Sequence, residues 1–180
     1  SFFLALFILW AVLIAAGFLV LGPRVFKLIW DVRAPGLIAF ATASSEAAYP
    51  RLLEQLERHG IANRVVSFVL PLGYSFNLDG SMMYCTFAVM IIAQAMGIHL
   101  DIGQQLGMLL LLMVTSKGIA GVPRASLVVI SATLPAMGMK PEWIALVLAV
   151  DAFMDKIRTA TNVIGNSIAS AVIAKWEGLL

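Results

Sequence analysis

Charge is scarce in this sequence: only 12% of its 180 residues are Asp, Glu, Lys or Arg, whereas 61% are apolar. So few charges cannot cover a water-exposed surface, and the composition is typical of an integral membrane protein. The basic residues are scattered and the net charge is only +2, which excludes the clustered basic face that nucleic acid requires. A single cysteine, Cys85, excludes an internal disulfide.

Uncharged stretches of different length predict which segments cross a bilayer. A spanning helix needs about 20 apolar residues, whereas a stretch of about 10–14 is more often re-entrant. Residues 2–22 are long enough to span, and they lack the charged start of a signal peptide, so we expect a piece of a longer protein. Residues 36–45 are too short to span, and we expect the chain to turn back at Pro50 and Arg51.

Two further apolar segments are interrupted by polar residues. The stretch over 63–100 contains NLDGS at 77–81, which predicts a helix broken near its centre, and two apolar arms around KGIAGVPR predict a second hairpin. The tips SSEAAYPR and SKGIAGVPR both end in Pro-Arg, and each precedes a helix with an Asn-centred polar break, NLDGS or NVIGNS. Repeats with broken helices are typical of secondary transporters, and they require a cavity because unpaired amides are costly in hydrocarbon.

One polar stripe follows the last apolar segment. At about 100° per residue, an arc of about 80° on a helix holds five polar side chains: Asp151, Asp155, Arg158, Asn162 and Asn166. Charges at the bilayer centre cost on the order of 2.5–3.5 kcal/mol each and need partners. The acids and Arg158 could simply neutralise one another at i, i+3 and i, i+4 spacing. That alternative does not explain the two asparagines farther along, whereas a stripe that lines a ligand site does.

The side chains of this stripe suit a particular kind of ligand. Arg158 offers a planar fork to a carboxylate and Asp155 an acceptor to an ammonium group, so together they could hold both ends of a zwitterion. Oxygens of Asn77, Asp79 and Asn162, with carbonyls freed at a helix break, could hold a hard cation such as sodium. Asp79 could equally be a structural aspartate bonded to the broken helix. The segment KGIAGVP lacks the spacing of a phosphate-binding loop.

Four segments, in the order TASSEAAYP, NLDGS, SKGIAGVP and DKIRTATNVIGN, resemble the dicarboxylate/amino acid:cation symporter family, the glutamate transporter homologues, across essentially the whole chain. The resemblance implies an all-α integral membrane fold with transmembrane helices, two re-entrant helical hairpins and broken helices. This chain would be the C-terminal part of a longer protein whose trimer-forming scaffold lies outside it. The implied elements are a transmembrane helix with its connection (1–33), the first hairpin (34–62), the broken helix (63–100), the second hairpin (101–140) and the last helix (141–180).

The resemblance also assigns roles to residues. Arg158 would bind the side-chain carboxylate of the substrate and Asp155 its amino group, with further contacts from Ser45, Ser81, Val122, Thr159 and Asn162. Cation coordination would fall to Gly73, Ser75, Asn77, Asp79, Ser116, Ile119, Asn162 and Asn166. The second hairpin would be the extracellular gate, and Gly118 and Gly121 suit a segment that changes its backbone conformation. No organic cofactor is implied, only a coupling cation.

Several positions depart from the family pattern. Sodium-coupled members carry an aspartate where this chain has Asn166, and animal glutamate carriers carry a proton-transporting glutamate where it has Cys85. Glu46, in the first hairpin tip, resembles instead the bacterial proton-coupled branch, whose members also have Asn at the position of Asn166. A glutamate desolvated at membrane depth could take up a proton near neutral pH. Proton coupling through Glu46 is therefore favoured, with sodium left open. Lys156 could supply the positive charge that some members place at the position of Ala43.

The family resemblance implies a secondary active symporter, and not an enzyme, that moves glutamate or aspartate across the bacterial inner (plasma) membrane by elevator-type alternating access. Its partners would be the lipid bilayer and two further copies in a homotrimer, without nucleic acid. Asp155 favours amino acids, since C4-dicarboxylates need no ammonium acceptor; a C4-dicarboxylate symporter and a sodium-coupled carrier stay as alternatives. An intramembrane aspartyl protease is a remote alternative, because Arg158 would hold Asp155 ionised.

Overall fold

The structure is a computed structural model that describes residues 2–76, 79–118 and 123–180. The chain is α-helical throughout these ranges, without a β-strand, which confirms the predicted all-α class. Two short 3-10 turns, Ser116–Gly118 and Pro141–Ile144, accompany the α-helices. The helices are α1 (Phe2–Leu21), α2 (Arg24–Asp31), α3 (Arg33–Thr42), α4 (Ser45–Arg58), α5 (Asn63–Phe76), α6 (Asp79–Ala95), α7 (Ile102–Thr115), α8 (Ala125–Ala136) and α9 (Ala145–Trp176).

Helix α9 is the central element of the fold. It packs against α1, α2, α3, α4, α5 and α6. One apolar core, around Leu28, Leu52 and Leu70, joins α2–α5 to the second half of α9. A second core, around Ile92 and Leu112, joins α6, α7 and α8 to its first half. Because α9 contributes to both cores, a polar face on this helix is enclosed by its neighbours along much of its length.

The first helical pair turns earlier than the sequence predicts. Helix α3 ends at Thr42, Ala43 adopts a left-handed conformation with φ 51°, and Ser44 caps α4 by accepting the N–H of Ala47 at 3.2 Å. Ser44, and not Pro50, therefore marks the turn, because its side chain accepts an N–H that the first turn of α4 leaves without an acceptor. The chain therefore turns at residues 43–44, and the prediction of a turn at Pro50 is wrong.

The Pro-Arg dipeptides that end the two tips in sequence do not occupy equivalent positions in the structure. Pro50 and Arg51 lie inside the continuous helix α4, whereas Arg124 stands directly before α8. The two dipeptides therefore occupy different positions in their helical pairs. What the tips do share is a non-glycine residue with positive φ, Ala43 in the first pair and Arg124, at φ 62°, in the second.

The polar breaks predicted for the two long helices have different outcomes. Helix α9 runs without interruption over 32 residues, so the break predicted at NVIGNS is wrong. Ser167 and Ser170 donate their hydroxyls to the carbonyls of Val163 and Asn166, at 2.7 and 2.8 Å, and in this way stay within the helix. In the segment 63–100, α5 ends at residue 76 and α6 begins at residue 79, while residues 77 and 78 lie outside the described ranges.

Among the described residues, two segments are long and apolar enough to cross a membrane, by length and composition: Phe2–Leu21 and Asn63–Ala95. Helix α1 is also poorly covered by the rest of the chain, since Phe7 and Leu19 are 72% and 86% exposed. Two polar contacts anchor it to α9: the indole N–H of Trp10 donates to the Thr161 hydroxyl at 3.0 Å, and the Lys175 ammonium donates to the Val20 carbonyl. Helices α7 and α8 are apolar but shorter.

Candidate functional site

The polar stripe of α9 is buried within the chain. Its five members are between 0% and 3% exposed: Asp151, Asp155, Arg158, Asn162 and Asn166. Buried polar groups must find polar partners, because an unsatisfied donor or acceptor costs free energy. The helices and the tip that pack against this face therefore determine what the stripe can do.

The beginning of α6 docks onto Asn162. The Asn162 side-chain oxygen accepts the backbone N–H of Gly80 at 2.9 Å and that of Ser81 at 3.4 Å, and its amide nitrogen donates to the Ser81 hydroxyl at 2.9 Å. These N–H groups belong to the first turn of α6, which has no intrahelical acceptor for them. The side chain of Asn162 thus caps a neighbouring helix, and the NLDGS segment meets the stripe at this point.

Arg158 lies between Ser81 and Asp155. Its Nη1 donates to the Ser81 hydroxyl at 2.8 Å, and its Nη2 contacts Oδ1 of Asp155. Within the described residues its Nε has no hydrogen-bond partner, although the atom is buried. The structure therefore contains the neutralising Asp155–Arg158 pair that the sequence offered as an alternative, together with a guanidinium N–H, at Nε, that has no partner among the described residues.

Asp155 also holds the tip that precedes α8. Its Oδ2 accepts the backbone N–H of Arg124 at 2.7 Å. Thr159, which the family resemblance assigns to the substrate, donates its hydroxyl to the Asp155 carbonyl at 2.7 Å inside α9. The carboxylate of Asp155 thus joins α9 to the second helical pair, and a ligand ammonium would compete for the same oxygens.

One further buried carboxylate, that of Asp151, contacts Tyr84 and Arg124. The sequence assigned no role to this interaction. Oδ1 of Asp151 accepts the Tyr84 hydroxyl at 2.6 Å, and its Oδ2 lies 3.7 Å from Nε of Arg124. Asp151 belongs to the predicted stripe, but its partners come from α6 and the second tip. The one feature of the sequence that could have indicated this interaction is Arg124, the charged residue that ends SKGIAGVPR.

The residues predicted to coordinate a cation are only partly brought together. Gly73 of α5 packs directly on Asn166, because a Cβ at Gly73 would overlap the Asn166 amide oxygen. These two line a cavity of about 260 Å³, whereas Asp79 lines a separate cavity of about 420 Å³ beside α1. Ser75 and Ser116 donate their hydroxyls to carbonyls of their own helical turns, at 3.4 and 3.3 Å.

Three predicted site residues, Asn77, Ile119 and Val122, lie outside the described residues. Within the part of the chain that the structure describes, no group of three or more His, Cys, Asp or Glu could hold a metal ion.

The first tip places Ser45 and Glu46 at the start of α4. Ser45 is buried, and its carbonyl accepts the Tyr74 hydroxyl of α5 at 3.0 Å. Glu46 is exposed, so the described residues do not bury it in the way that its predicted proton uptake requires. Lys156 is half-buried and stands apart from the buried stripe, while Ala43 is buried at the turn.

A model of the sodium:dicarboxylate symporter family matches residues 1–176. The chain belongs to the sodium:dicarboxylate symporter family. The family predicted from four short segments is therefore confirmed. Its members are symporters rather than enzymes, so the aspartyl protease alternative is dropped.

Relatives that are named for two kinds of substrate match this chain. It is 49% identical over 156 residues to a proton/glutamate-aspartate symporter of Escherichia coli K12 and 47% over 157 residues to a proton/sodium-glutamate symport protein of Bacillus caldotenax. It is 46% identical over 175 residues to a C4-dicarboxylate transport protein of Pseudomonas syringae pv. syringae. These alignments cover 87%, 87% and 97% of this chain, and the chain spans 36%, 37% and 38% of the relatives' lengths.

Proposed function

We propose that the protein containing this chain is a secondary active symporter of acidic amino acids, glutamate or aspartate, coupled to cations with the proton favoured. The observation that carries this proposal is the buried Asp155–Arg158 pair, which presents both signs of charge side by side on one helix. A zwitterion with an additional carboxylate needs this combination, because its ammonium and carboxylate groups must both find opposite charges once they leave water.

Substrate binding would exchange the charge partners of Arg158 and Asp155 and keep the site balanced in charge. In the structure Arg158 and Asp155 neutralise each other. The proposed substrate would place its side-chain carboxylate on the Arg158 guanidinium and its ammonium group on Asp155. One buried ion pair is then replaced by two pairs, and the α-carboxylate, the remaining charge of the substrate, would be balanced by the coupling cation. Ser81 and Asn162 support this arrangement, since they already hold Arg158 and the start of α6 in place.

The remaining assignments follow the family pattern and are part of the proposal. Ser45, Val122 and Thr159 would complete the substrate site, and Glu46 would carry a coupling proton. Coordination of a cation would use the eight residues named in the sequence analysis, among which the close contact of Gly73 with Asn166 favours a site at that point. The pair α7–α8 would be the gate, and the Arg124–Asp155 contact supports this because it joins that pair to the substrate-binding helix.

We further propose that the protein is a multi-pass protein of the bacterial inner membrane and a homotrimer assembled through a scaffold outside this chain. The exposed apolar side chains of α1 support contact with lipid or with that scaffold. The pairs α3–α4 and α7–α8 would be re-entrant hairpins within residues 34–62 and 101–140, and the transport core would move as an elevator. Coupling to a cation would supply enough free energy for uphill transport. A single charge that crosses 100 mV contributes about 2.3 kcal/mol, whereas a tenfold substrate concentration ratio costs about 1.4 kcal/mol.

A C4-dicarboxylate symporter is the second candidate, because a relative with 46% identity carries that name. The two candidates differ in what they require of Asp155. A dicarboxylate has no ammonium group, so a buried carboxylate next to its binding site would repel it. The presence of Asp155 on the stripe therefore favours an amino acid.

Uptake into liposomes that contain the full-length protein tests the proposal. Labelled glutamate, aspartate and malate would each be offered under an imposed proton gradient, a sodium gradient or neither. We expect concentrative uptake of glutamate or aspartate under the proton gradient, and a loss of that proton dependence in Glu46→Gln. Uptake of malate alone would support the second candidate, and proton dependence that is unchanged in Glu46→Gln would remove Glu46 as the carrier.

A further inference from the structure

Asp151 is a fully buried carboxylate that the proposed substrate site does not use. It lies one turn before Asp155 on α9. One of its oxygens accepts the Tyr84 hydroxyl at 2.6 Å, and the other, Oδ2, has no hydrogen-bond partner among the described residues. A buried oxygen without a partner is costly, which makes it a place where a proton or a ligand would be taken up.

The buried charges along this face do not balance. Asp151 and Asp155 are both buried, and the buried cation beside them, Arg158, contacts Asp155. The titratable and charged groups that face Asp151 are Tyr84 and Cys85 of α6, Arg124 before α8, and Asp155 and Arg158 of α9. Asp151 therefore depends on Arg124 for a countercharge of its own.

Arg124 is poorly placed to be a permanent partner. Its Nε is 3.7 Å from Oδ2 of Asp151, without a hydrogen bond, and its side chain is 61% exposed while that of Asp151 is 1% exposed. Its backbone lies at φ 62°, a conformation that costs energy in any residue with a side chain. The backbone is held there by the bond from its N–H to Asp155. Any movement of this tip away from α9 removes the cation from Asp151 and leaves the carboxylate buried.

We propose that Asp151 binds a coupling proton when Arg124 moves away from α9, and releases it when Arg124 returns. The proton comes from water and neutralises the carboxylate that has lost its countercharge, so the buried face stays balanced in both positions. This inference rests on the proposed symport and adds a second protonatable group to it. It links the position of the second helical pair to proton binding through one side chain.

The test uses the full-length protein in liposomes and measures glutamate uptake driven by a proton gradient across a series of pH values. Asp151→Asn imitates the protonated carboxyl permanently. We expect its proton-driven uptake to fall at least about tenfold and the pH profile of its residual transport to keep only the step that Glu46 supplies. Exchange of labelled for unlabelled glutamate, which needs no net proton movement, should fall less than uptake. Asp101→Asn is the matched control, because Asp101 is an exposed cap of α7 and Asn keeps the capping oxygen.

Two further variants keep the inference testable if Asp151→Asn fails to fold. Tyr84→Phe removes the hydrogen bond to the carboxylate, and Arg124→Gln removes the cation; both favour the neutral form of Asp151. We expect each to move the pH of half-maximal uptake upward by about one unit. Unshifted profiles in both, or Asp151→Asn with a normal pH profile, would overturn the inference and leave symport intact. No glutamate uptake by the unaltered protein under any gradient would overturn the proposed function itself.

Discussion

Gly80 lies directly against the backbone of Arg158. A Cβ at Gly80 would stand 2.5 Å from the Arg158 carbonyl oxygen and 3.0 Å from its Cα. The absence of a side chain lets the first turn of α6 approach α9 closely enough for its N–H groups to reach Asn162. The glycine of NLDGS is thus required by the contact between two helices, which also brings the Ser81 hydroxyl within reach of Arg158.

We expect Gly80→Ala to destabilise the protein by about 1–3 kcal/mol, because the added methyl group overlaps backbone atoms that cannot move aside. Thermal unfolding of the detergent-solubilised full-length protein measures the effect. Gly107→Ala is the control, since Gly107 is exposed on α7 with open space around it. Alanine there should be neutral or stabilising by up to about 1 kcal/mol. Equal melting temperatures for Gly80→Ala and the unaltered protein would contradict the close contact.

We expect the side-chain oxygen of Asn162 to contribute more to the stability of the protein than its amide nitrogen does. Asn162→Ala leaves two N–H groups of α6 without an acceptor and should cost about 1–3 kcal/mol. Asn162→Asp keeps the acceptor and should retain the docking of α6, but it adds a negative charge beside Arg158 and should weaken substrate carboxylate binding. Melting temperature and the KM for glutamate separate the two effects. A melting temperature lowered equally in both variants would show that the amide nitrogen carries the contact.

The sequence predicted the family, the all-α class and the residues of the buried stripe, because these depend on composition, on four short segments in a fixed order and on helical periodicity. The stripe is independent of tertiary structure, since a helix places residues four apart on one face whatever packs against it. The sequence therefore predicts that the stripe is buried, but it does not predict which residues of other helices contact it. Tyr84 lies 67 positions from Asp151 in the chain, and no local pattern joins them.

The two incorrect predictions have a common physical cause. Pro50 and the NVIGNS segment were expected to interrupt helices, and both lie within continuous ones. Local hydrogen bonds decide both cases: Ser167 and Ser170 donate to carbonyls inside α9, and the turn of the first pair is fixed by a capping serine instead of by proline. Local residue type indicates where a helix could end, but capping and packing determine where it does.

Arg158→Lys tests the fork geometry of the proposed site. Arg158 contacts Ser81 and Asp155 through two different nitrogens, whereas a lysine has a single ammonium group and cannot keep both contacts in the same geometry. We expect the KM for glutamate to rise at least about tenfold, which corresponds to about 1.4 kcal/mol. Arg51→Lys is the control, because Arg51 forms an exposed pair with Glu54 that contributes little. Normal transport by a folded Arg158→Lys protein would contradict the site.

Asp155→Ala separates an amino acid carrier from a dicarboxylate carrier. Removal of the carboxylate leaves the ammonium group of glutamate without a partner in a buried site, so glutamate uptake should fall by at least about two orders of magnitude. Malate has no ammonium group, and its relative uptake should rise because the repelling charge has gone. Competition between labelled glutamate and unlabelled malate in liposomes measures the change, with Glu177→Ala, an exposed acid at the end of α9, as the control. Preferential transport of malate by the unaltered protein, retained in Asp155→Ala, would instead identify a C4-dicarboxylate symporter, since only that substrate makes Asp155 dispensable for binding.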